Sequence, residues 1–294
     1  MKKLIITLMS FFICTSLFSM KIVGDKIVDE RGNSIEKKEF KKIIVLDPAV
    51  VESFYLIGAE KNIVAIADTT RTPIWPVEKT KLLPKAGTLT KPSLEHVLSF
   101  SPDLVILNSM SEGFAESLKS RKLNFIVNEG KSFEQILENL DSYGVITGNR
   151  EQALKVKEEY INKLSTIKKT TAEKLLNIKG AFLFSTSPMM VFTEKSLPGQ
   201  IFETLGIENI ANNLPGGRPI ISAEYLIAQN PDILVGSMAI KNKDDILNSN
   251  PFVKETKAGK NKNIFILDSN KILRGTPRII DALLDLHMEL SNGK

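Results

Sequence analysis

The stretch PSLEHVLSFSPDLVI at 92–106 has a second copy, IISAEYLIAQNPDILV at 220–235, about half a chain length later. Identical residues recur at a constant offset: Ser93 and Ser222, Glu95 and Glu224, Pro102 and Pro231, and Asp103 and Asp232. Serine suits the N-cap of a helix, glutamate suits its first turn, and Pro-Asp ends the helix before an apolar strand. The repeat therefore predicts the same helix–turn–strand unit in two related halves, with local structural roles for the repeated residues.

Short apolar runs alternate with helical patterns around both copies. In the first half, strands are predicted at 42–46, 63–67, 103–107 and 125–127, and helices at 49–57, 93–100, 111–121 and 132–147. In the second half, strands are predicted at 180–185, 190–193, 232–236 and 263–268, and helices at 197–205, 222–229 and 276–290. Residues 21–40 predict a small N-terminal hairpin. Apolar strands that alternate with helices predict a parallel sheet covered on both faces, once in each half.

A long helix is predicted between the two halves. Residues 149–179 contain neither glycine nor proline, and apolar side chains recur at helical spacing. Such a helix would be on the order of 40 Å long at 1.5 Å per residue. Two helices with a break near KKTTAEK are the alternative, because threonine lowers helix propensity. The fold class is therefore α/β, with two Rossmann-like lobes at 20–148 and 180–294 joined by one backbone helix.

Residues 1–19 have the pattern of a secretory signal peptide. Lys2 and Lys3 precede the apolar run 4–18, and Ser19 offers a small residue for cleavage. A retained N-terminal anchor is the alternative, because Leu17 stands where a small residue is favoured. The only cysteine, Cys14, follows Ile13, which disfavours a lipid anchor there. The mature protein is therefore expected in the periplasm, without disulfides, thiol catalysis or cysteine metal sites.

Charge and motifs disfavour nucleic-acid binding and catalysis. The net charge is +5, but the lysines are scattered and form no basic stripe with interleaved aromatic residues. The common hydrolase, phosphate-loop, dinucleotide and zinc motifs are absent, and His96 and His287 are the only histidines. We therefore predict a binding protein that holds no metal or cofactor of its own and takes up a metal already inside a chelator. A secreted metal-assisted hydrolase is the alternative.

Ligands of open α/β sheets bind beyond the carboxyl ends of the strands. The loops at these ends contain the candidate ligand-binding residues Thr70, Arg71, Trp75, Met110, Met189, Met190, Arg218, Met238 and Arg274. Arginine suits carboxylate, phosphate or catecholate oxygens, tryptophan can stack on a flat ligand, and methionine can shape an adaptable apolar pocket. Loop anchoring, surface charge and core packing are the corresponding structural alternatives.

Several segments together resemble one family. RGNSIEKKEFKKIIVLDPAVVESFYLIGAEKNIVAIAD, LLPKAGTLTKPSLEHVLSFSPDLVI, SAEYLIAQNPDILV and RGTPRIIDAL resemble the periplasmic substrate-binding proteins of iron–siderophore, haem and cobalamin importers. The resemblance implies a monomer of class III architecture, with two lobes on one rigid helix and a ligand between them. It also implies delivery to an ABC transporter permease, with one glutamate of each lobe contacting transporter arginines. Glu52 and Glu203 are the candidates, and ordinary helix-surface charge is the alternative.

The loop arginines favour an anionic chelate. All four tyrosines lie on predicted helices, which disfavours haem because haem would take an axial tyrosine or histidine. A ferric-siderophore type of chelate is therefore predicted first. A nickel– or cobalt–histidine chelate, cobalamin and haem remain the alternatives.

Overall fold

The computed structural model describes residues 19–69, 72–173, 178–272 and 274–292. The predicted signal peptide therefore lies, apart from Ser19, outside the described residues, and so do Thr70 and Arg71. Within the described ranges, no helix combines the length and the apolar character that crossing a membrane requires.

A small antiparallel sheet precedes the first lobe. Its three strands are β1 (Lys21–Val23), β2 (Lys26–Val28) and β3 (Ser34–Glu36). The hairpin predicted for 21–40 thus gains a third strand. Between β2 and β3, the Asp29 carboxylate accepts hydrogen bonds from the backbone amides of Arg31 and Asn33, and also from that of Val127 at 2.7 Å. The turn is therefore tied to the edge of the first lobe.

The first lobe is built on a five-stranded, fully parallel sheet with the order β6-β5-β4-β7-β8. Its strands are β4 (Ile43–Val45), β5 (Ile63–Asp68), β6 (Lys85–Thr88), β7 (Leu104–Leu107) and β8 (Phe125–Val127). The helices of this half are α1 (Pro48–Leu56), α2 (Val77–Thr80), α3 (Leu94–Ser99), α4 (Ala115–Ser120) and α5 (Phe133–Thr147). Helix α4 follows a 3-10 turn at Ser109–Phe114, where one longer helix was predicted.

The long helix α6 (Arg150–Glu173) follows α5 directly. It runs unbroken through Thr170, whose hydroxyl donates to the Thr166 carbonyl at 3.0 Å. The rest of the predicted helix falls on 174–177, outside the described residues, and on Ile178 and Lys179, of which Lys179 already begins the next strand.

The second lobe has a mixed five-stranded sheet. Its strands are β9 (Lys179–Thr186), β10 (Met189–Val191), β11 (Glu208–Asn209), β12 (Ile233–Gly236) and β13 (Ile264–Ile266). The order is β10-β9-β12-β13, with β11 also paired to β9, and only β10 is antiparallel. The helices are α7 (Gly199–Thr204), α8 (Ala223–Gln229), α9 (Lys243–Leu247), α10 (Lys257–Lys260), α11 (Ser269–Ile272) and α12 (Arg278–Asn292). The predicted α/β class with two lobes and a connecting helix is confirmed.

The duplicated stretches form equivalent units. The Ser93 hydroxyl accepts from the backbone amide of His96 at 3.3 Å, and the Ser222 hydroxyl accepts from that of Tyr225 at 3.1 Å. Both serines therefore cap the helices α3 and α8, as the repeat predicted.

The repeated aspartates also have matching contacts. Asp103 accepts from the backbone amide of Lys42 at 3.0 Å, and Asp232 accepts from that of Lys179 at 2.8 Å. Each carboxylate thereby joins the amino ends of two neighbouring strands. The repeated aspartates consequently support the amino ends of the sheets, away from the edge where ligands bind.

The largest hydrophobic cluster crosses from one lobe to the other. It contains Val45 of β4, Phe182 of β9, Leu164 of α6 and Leu283 of α12. Helix α12 is also fixed to α6 by polar contacts, because Tyr160 and Lys163 donate to the Asp281 carboxylate at 2.8 and 3.0 Å. A continuous core resists large rearrangement, since packed interiors tolerate little change in volume. The two lobes therefore form one packed body around α6.

Candidate functional site

A cavity of about 510 Å³ lies beyond the carboxyl ends of the first sheet. Loops after β4, β6, β7 and β8 supply most of its wall, with Asp47, Leu89, Asn108 and Asn128. The segment between α11 and α12 adds Arg274 and Gly275. The position is the one that the sheet topology predicts. The contribution of the second lobe comes from this segment and not from the ends of β9, β12 or β13.

Asp47 lies in this cavity at the end of the central strand β4. It caps helix α1, because its Oδ1 accepts from the backbone amide of Ala49 at 2.8 Å. Its Oδ2 accepts from Asn128 Nδ2 at 2.8 Å. Burial raises the pKa of Asp47 to about 6, although hydrogen bonds from Asn128, Ala49 and Val50 and the charge of Arg274 act in the opposite direction.

The two asparagines beside Asp47 are held by the protein itself. Asn108 donates to the Leu46 carbonyl at 2.7 Å and accepts from the backbone amides of Met110 and Ser111. Asn128 accepts from the Tyr143 hydroxyl at 2.5 Å while its Nδ2 donates to Asp47. These contacts fix both amides in one orientation.

An ion-pair cluster joins the two lobes beside the cavity. Glu52 on α1 has no exposed surface, and its Oε1 and Oε2 accept from Arg274 Nη1 and Arg278 Nη1, each at 2.9 Å. Burial raises the pKa of Glu52, and the two arginine charges partly offset this effect. A glutamate that contacts a transporter must be exposed, so this arrangement does not fit the docking role predicted for Glu52.

Trp75 and Thr72 extend the same cluster. The Arg278 guanidinium lies 4.7 Å from the centre of the Trp75 ring, and Arg274 Nη2 donates to the Thr72 carbonyl at 2.8 Å. The Trp75 backbone amide also donates to Glu52 at 3.3 Å. Trp75 therefore anchors its loop against the second lobe, which favours the anchoring alternative over stacking on a ligand.

The lobes also meet through two glycines at the cavity. A Cβ atom added to Gly275 would lie 2.8 Å from the Gly130 carbonyl oxygen and 3.2 Å from the Gly130 Cα. Next to this contact, Gln200 Nε2 of α7 donates to the Lys131 carbonyl at 2.7 Å. Only glycine allows the two backbones to approach so closely. The base of the cleft is consequently tightly packed.

A charged network forms one rim of the cavity. Arg31 of the N-terminal turn contacts Glu129 at 2.5 Å, and Lys131 pairs with both Glu129 and Glu30. Burial alone would raise the pKa of Glu129, but hydrogen bonds with Glu30, Lys131 and Arg31 lower it to about 2. The rim cations therefore already have carboxylate partners within the protein.

The other candidate residues are dispersed. Met110 lines the cavity and is 58% exposed. Met189 is buried in the core of the second lobe, and Met238 packs against the central core. Met190 pairs with Ile220, and the exposed Arg218 lies 4.8 Å from the centre of the Phe184 ring. Of the described candidates, only Met110 and Arg274 line the cavity.

Two further features concern the chemistry of this site. Among the described residues, no group of three or more histidine, cysteine, aspartate or glutamate side chains could hold a metal ion. The cavity wall given by these residues contains no tyrosine, histidine or cysteine. Its polar side chains are carboxylates, amides, the hydroxyls of Thr72 and Ser109, Lys131 and Arg274.

Comparison with known families gives a direct result. A family described as "Periplasmic binding protein" matches residues 43–271. The chain belongs to the periplasmic binding protein family. The resemblance noted in the sequence is confirmed. This periplasmic binding protein is a transport protein that binds a substrate, not an enzyme.

Individual relatives of this periplasmic binding protein are distant but cover most of the chain. The vitamin B12-binding protein of Vibrio parahaemolyticus serotype O3:K6 is 23% identical over 84% of this chain and 88% of its own. An ABC transporter substrate-binding lipoprotein of Bacillus subtilis, described as uncharacterized, is 24% identical over 85% of this chain and 80% of its own. The solved periplasmic haem-binding protein of Vibrio cholerae has a TM-score of 0.73 at 22% identity, covering 87% of this chain and 99% of its own. The solved structure shows a shared fold.

Proposed function

We propose that this periplasmic binding protein captures a corrinoid of the cobalamin type and delivers it to an ABC importer. The observation that carries this proposal is the charge balance of the cavity. Arg274 and Lys131 are the cations among the described cavity residues, and they are already paired, Arg274 with Glu52 and Lys131 with Glu30 and Glu129. The carboxylate of Asp47 and the amides beside it instead suit a ligand whose edge is rich in amides, as that of cobalamin is. The names of several relatives support the same ligand.

The metal reaches this protein inside a finished chelate in our proposal. The described cavity offers no tyrosine or histidine as an axial ligand, which makes haem a poorer candidate. The cavity volume falls within the range of about 300–1,000 Å³ that is usual for small-molecule sites. A corrinoid would fill it with one edge and extend outwards between the lobes.

A ferric catecholate siderophore is the second candidate. Arg218 is exposed and lies over the Phe184 ring, so a cation and an aromatic face occur together on the second lobe. Such a pair suits an anionic aromatic ligand. The surface lies apart from the residues of the cavity, and a catecholate would bind there without using Asp47.

A thermal-shift screen distinguishes these ligands. Purified protein is heated with cyanocobalamin, a ferric catecholate, haemin, or nickel with free histidine. Cyanocobalamin is expected to raise the midpoint progressively, because a ligand at a hundred times its Kd stabilises the folded state by about 2.7 kcal/mol. A larger shift with the catecholate would favour the second candidate. No shift with any chelate would reject the proposed function.

The proposal also includes export and docking. Residues 1–19 would act as the signal peptide. Glu95 and Glu224 are exposed, and each follows the capping serine of an equivalent helix in its own lobe. Glu203 is exposed on α7. Because a transporter of two similar halves would meet two similar lobes, we propose Glu95 and Glu224 as the docking pair in place of Glu52.

Charge reversal tests the docking pair. The double variant Glu95→Lys/Glu224→Lys is expected to lower uptake at least tenfold while the Kd for the ligand stays unchanged, because two attractive contacts become repulsive. Glu116→Lys reverses another exposed glutamate in the first turn of a helix, α4, and is the matched control that should transport normally. If the double variant transports normally and Glu203→Lys alone does not, the docking contact belongs to α7.

A further inference from the structure

We propose that Asp47 is the specificity-determining residue of the cavity, where its carboxylate accepts a hydrogen bond from an amide, hydroxyl or ammonium group of the ligand. This inference rests on the proposed function and adds to it the direction of one hydrogen bond, which the ligand donates and the protein accepts. It predicts that the site rejects a ligand that presents only anionic oxygens at this position.

Asp47 occupies the point of the cavity that several elements fix together. It lies at the end of the central strand, caps α1, and accepts a hydrogen bond from Asn128 in the loop after β8. Its residue exposure is only 8%, and the exposed part faces the cavity. A carboxylate in such a position cannot turn away from a bound ligand.

Among the described residues, no cation forms an ion pair with the Asp47 carboxylate. Within the described residues, no lysine, arginine or histidine nitrogen lies within 4.0 Å of the carboxylate as an ion-pair partner. Arg274 is turned to Glu52 and Thr72, and Lys131 is turned to Glu30 and Glu129. A buried carboxylate without an ion-pair partner lowers the stability of the fold. We infer that Asp47 compensates for this cost by binding the ligand.

Asp47 also has hydrogen-bonding capacity to spare. Two carboxylate oxygens offer about four acceptor positions, and donors of the protein, Ala49, Asn128 and Val50, fill up to three of them. The neighbouring Asn108 and Asn128 oxygens are already engaged by protein donors. The acceptor that remains for a ligand at this end of the cavity is therefore the Asp47 carboxylate.

This polarity separates the ligand classes. The side-chain amides of a corrinoid donate hydrogen bonds, and an amine or a hydroxyl group of a chelate does the same. The propionates of haem and the oxygens of a catecholate only accept, and a second anion beside Asp47 would be repelled. The contact therefore favours donors and works against anionic edges.

Isothermal titration with cyanocobalamin tests the inference. Asp47→Asn keeps the shape of the side chain, and Asp47→Ser keeps a capping oxygen for α1. Both are expected to bind roughly tenfold to a hundredfold more weakly, as a hydrogen bond to a charged group requires. Asp103→Asn is the matched control at the amino end of the same sheet and should bind as the original protein does.

Three outcomes of these titrations test the role of Asp47. Weaker binding in both variants, with normal binding in the control, supports the role of Asp47. Unchanged binding in both variants rejects that role while leaving the proposed function standing. If the original protein binds the ferric catecholate more tightly than cyanocobalamin, the assignment of a donor-selecting site is rejected as well.

The pH profile supplies a second readout. Among the described residues, the ionisable groups around Asp47 are Tyr143 of α5, Arg274 before α12, and the rim residues Glu30, Glu129 and Lys131. Affinity should fall as the pH drops below about 6, where Asp47 takes up its proton. Asp47→Asn should show a flat profile over the same interval. A persisting decline in Asp47→Asn would point to Glu30, whose pKa burial also raises, and would reject the inference.

Discussion

Replacing Glu52 with alanine is expected to lower the free energy of unfolding by about 3–5 kcal/mol, because breaking a buried ion pair leaves uncompensated charges in the interior. The side chains of Arg274 and Arg278 are only 10% and 11% exposed, and Glu52 is their shared partner. The loop that carries Trp75 would also lose a backbone contact. Urea denaturation followed by circular dichroism measures the change.

Two comparisons separate charge from shape at this position. Glu52→Gln keeps most of the side-chain volume and one oxygen that can still accept two hydrogen bonds. A smaller loss in the free energy of unfolding is therefore expected. Glu203→Ala removes an exposed glutamate of the second lobe and should change stability by about 0.5 kcal/mol or less. If Glu52→Ala is as stable as Glu203→Ala, the ion-pair cluster does not hold the lobes together.

Gly275→Ala is expected to weaken ligand binding and to cost about 1–3 kcal/mol of stability, as overpacking usually does. The new methyl group would lie 2.8 Å from the Gly130 carbonyl oxygen, and backbone atoms cannot move aside as a flexible side chain can. The segment before α12 would be displaced from the cavity wall, and Arg274 with it. Denaturation and titration with cyanocobalamin on one preparation measure both effects.

Gly113→Ala is the matched control for this change. Gly113 lies in the 3-10 turn of the first lobe, and an added Cβ there would meet no atom within 4 Å. It should therefore bind ligand and unfold like the original protein. Equal behaviour of Gly275→Ala and Gly113→Ala would show that the glycine contact does not determine the cavity wall.

Much of the fold can be predicted from the sequence because its signals are local and repeated. Apolar runs at 63–67 and 125–127 mark strands, and the capping serines of the duplicated stretches mark helix starts. The short elements escape this reasoning. Helices such as α2 and α10, with four residues each, are too short to show a helical period. Strand β6 contains Gly87 at a φ of +105°, which is atypical of a strand.

The candidate site was harder to predict, for a different physical reason. The position of the cavity follows from strand topology, and Asp47 could have been recognised as a carboxylate that ends a buried strand and begins a helix. The pairing of Glu52 with Arg274 joins residues 222 positions apart, and no local sequence pattern predicts it. Arg274 was therefore predicted to be available to a ligand, whereas its charge is already balanced by Glu52.

The most direct test of the proposed corrinoid site is an isothermal titration of the purified protein with cyanocobalamin, alongside the variant Ser109→Trp. Ser109 is exposed and lines the cavity, so an indole there would fill the space without disturbing the core. We expect one ligand per protein with a Kd of roughly 1 μM or below, and at least tenfold weaker binding by the variant. Absence of binding by the original protein, or equal binding by Ser109→Trp, would contradict the assignment of this cavity as the corrinoid site.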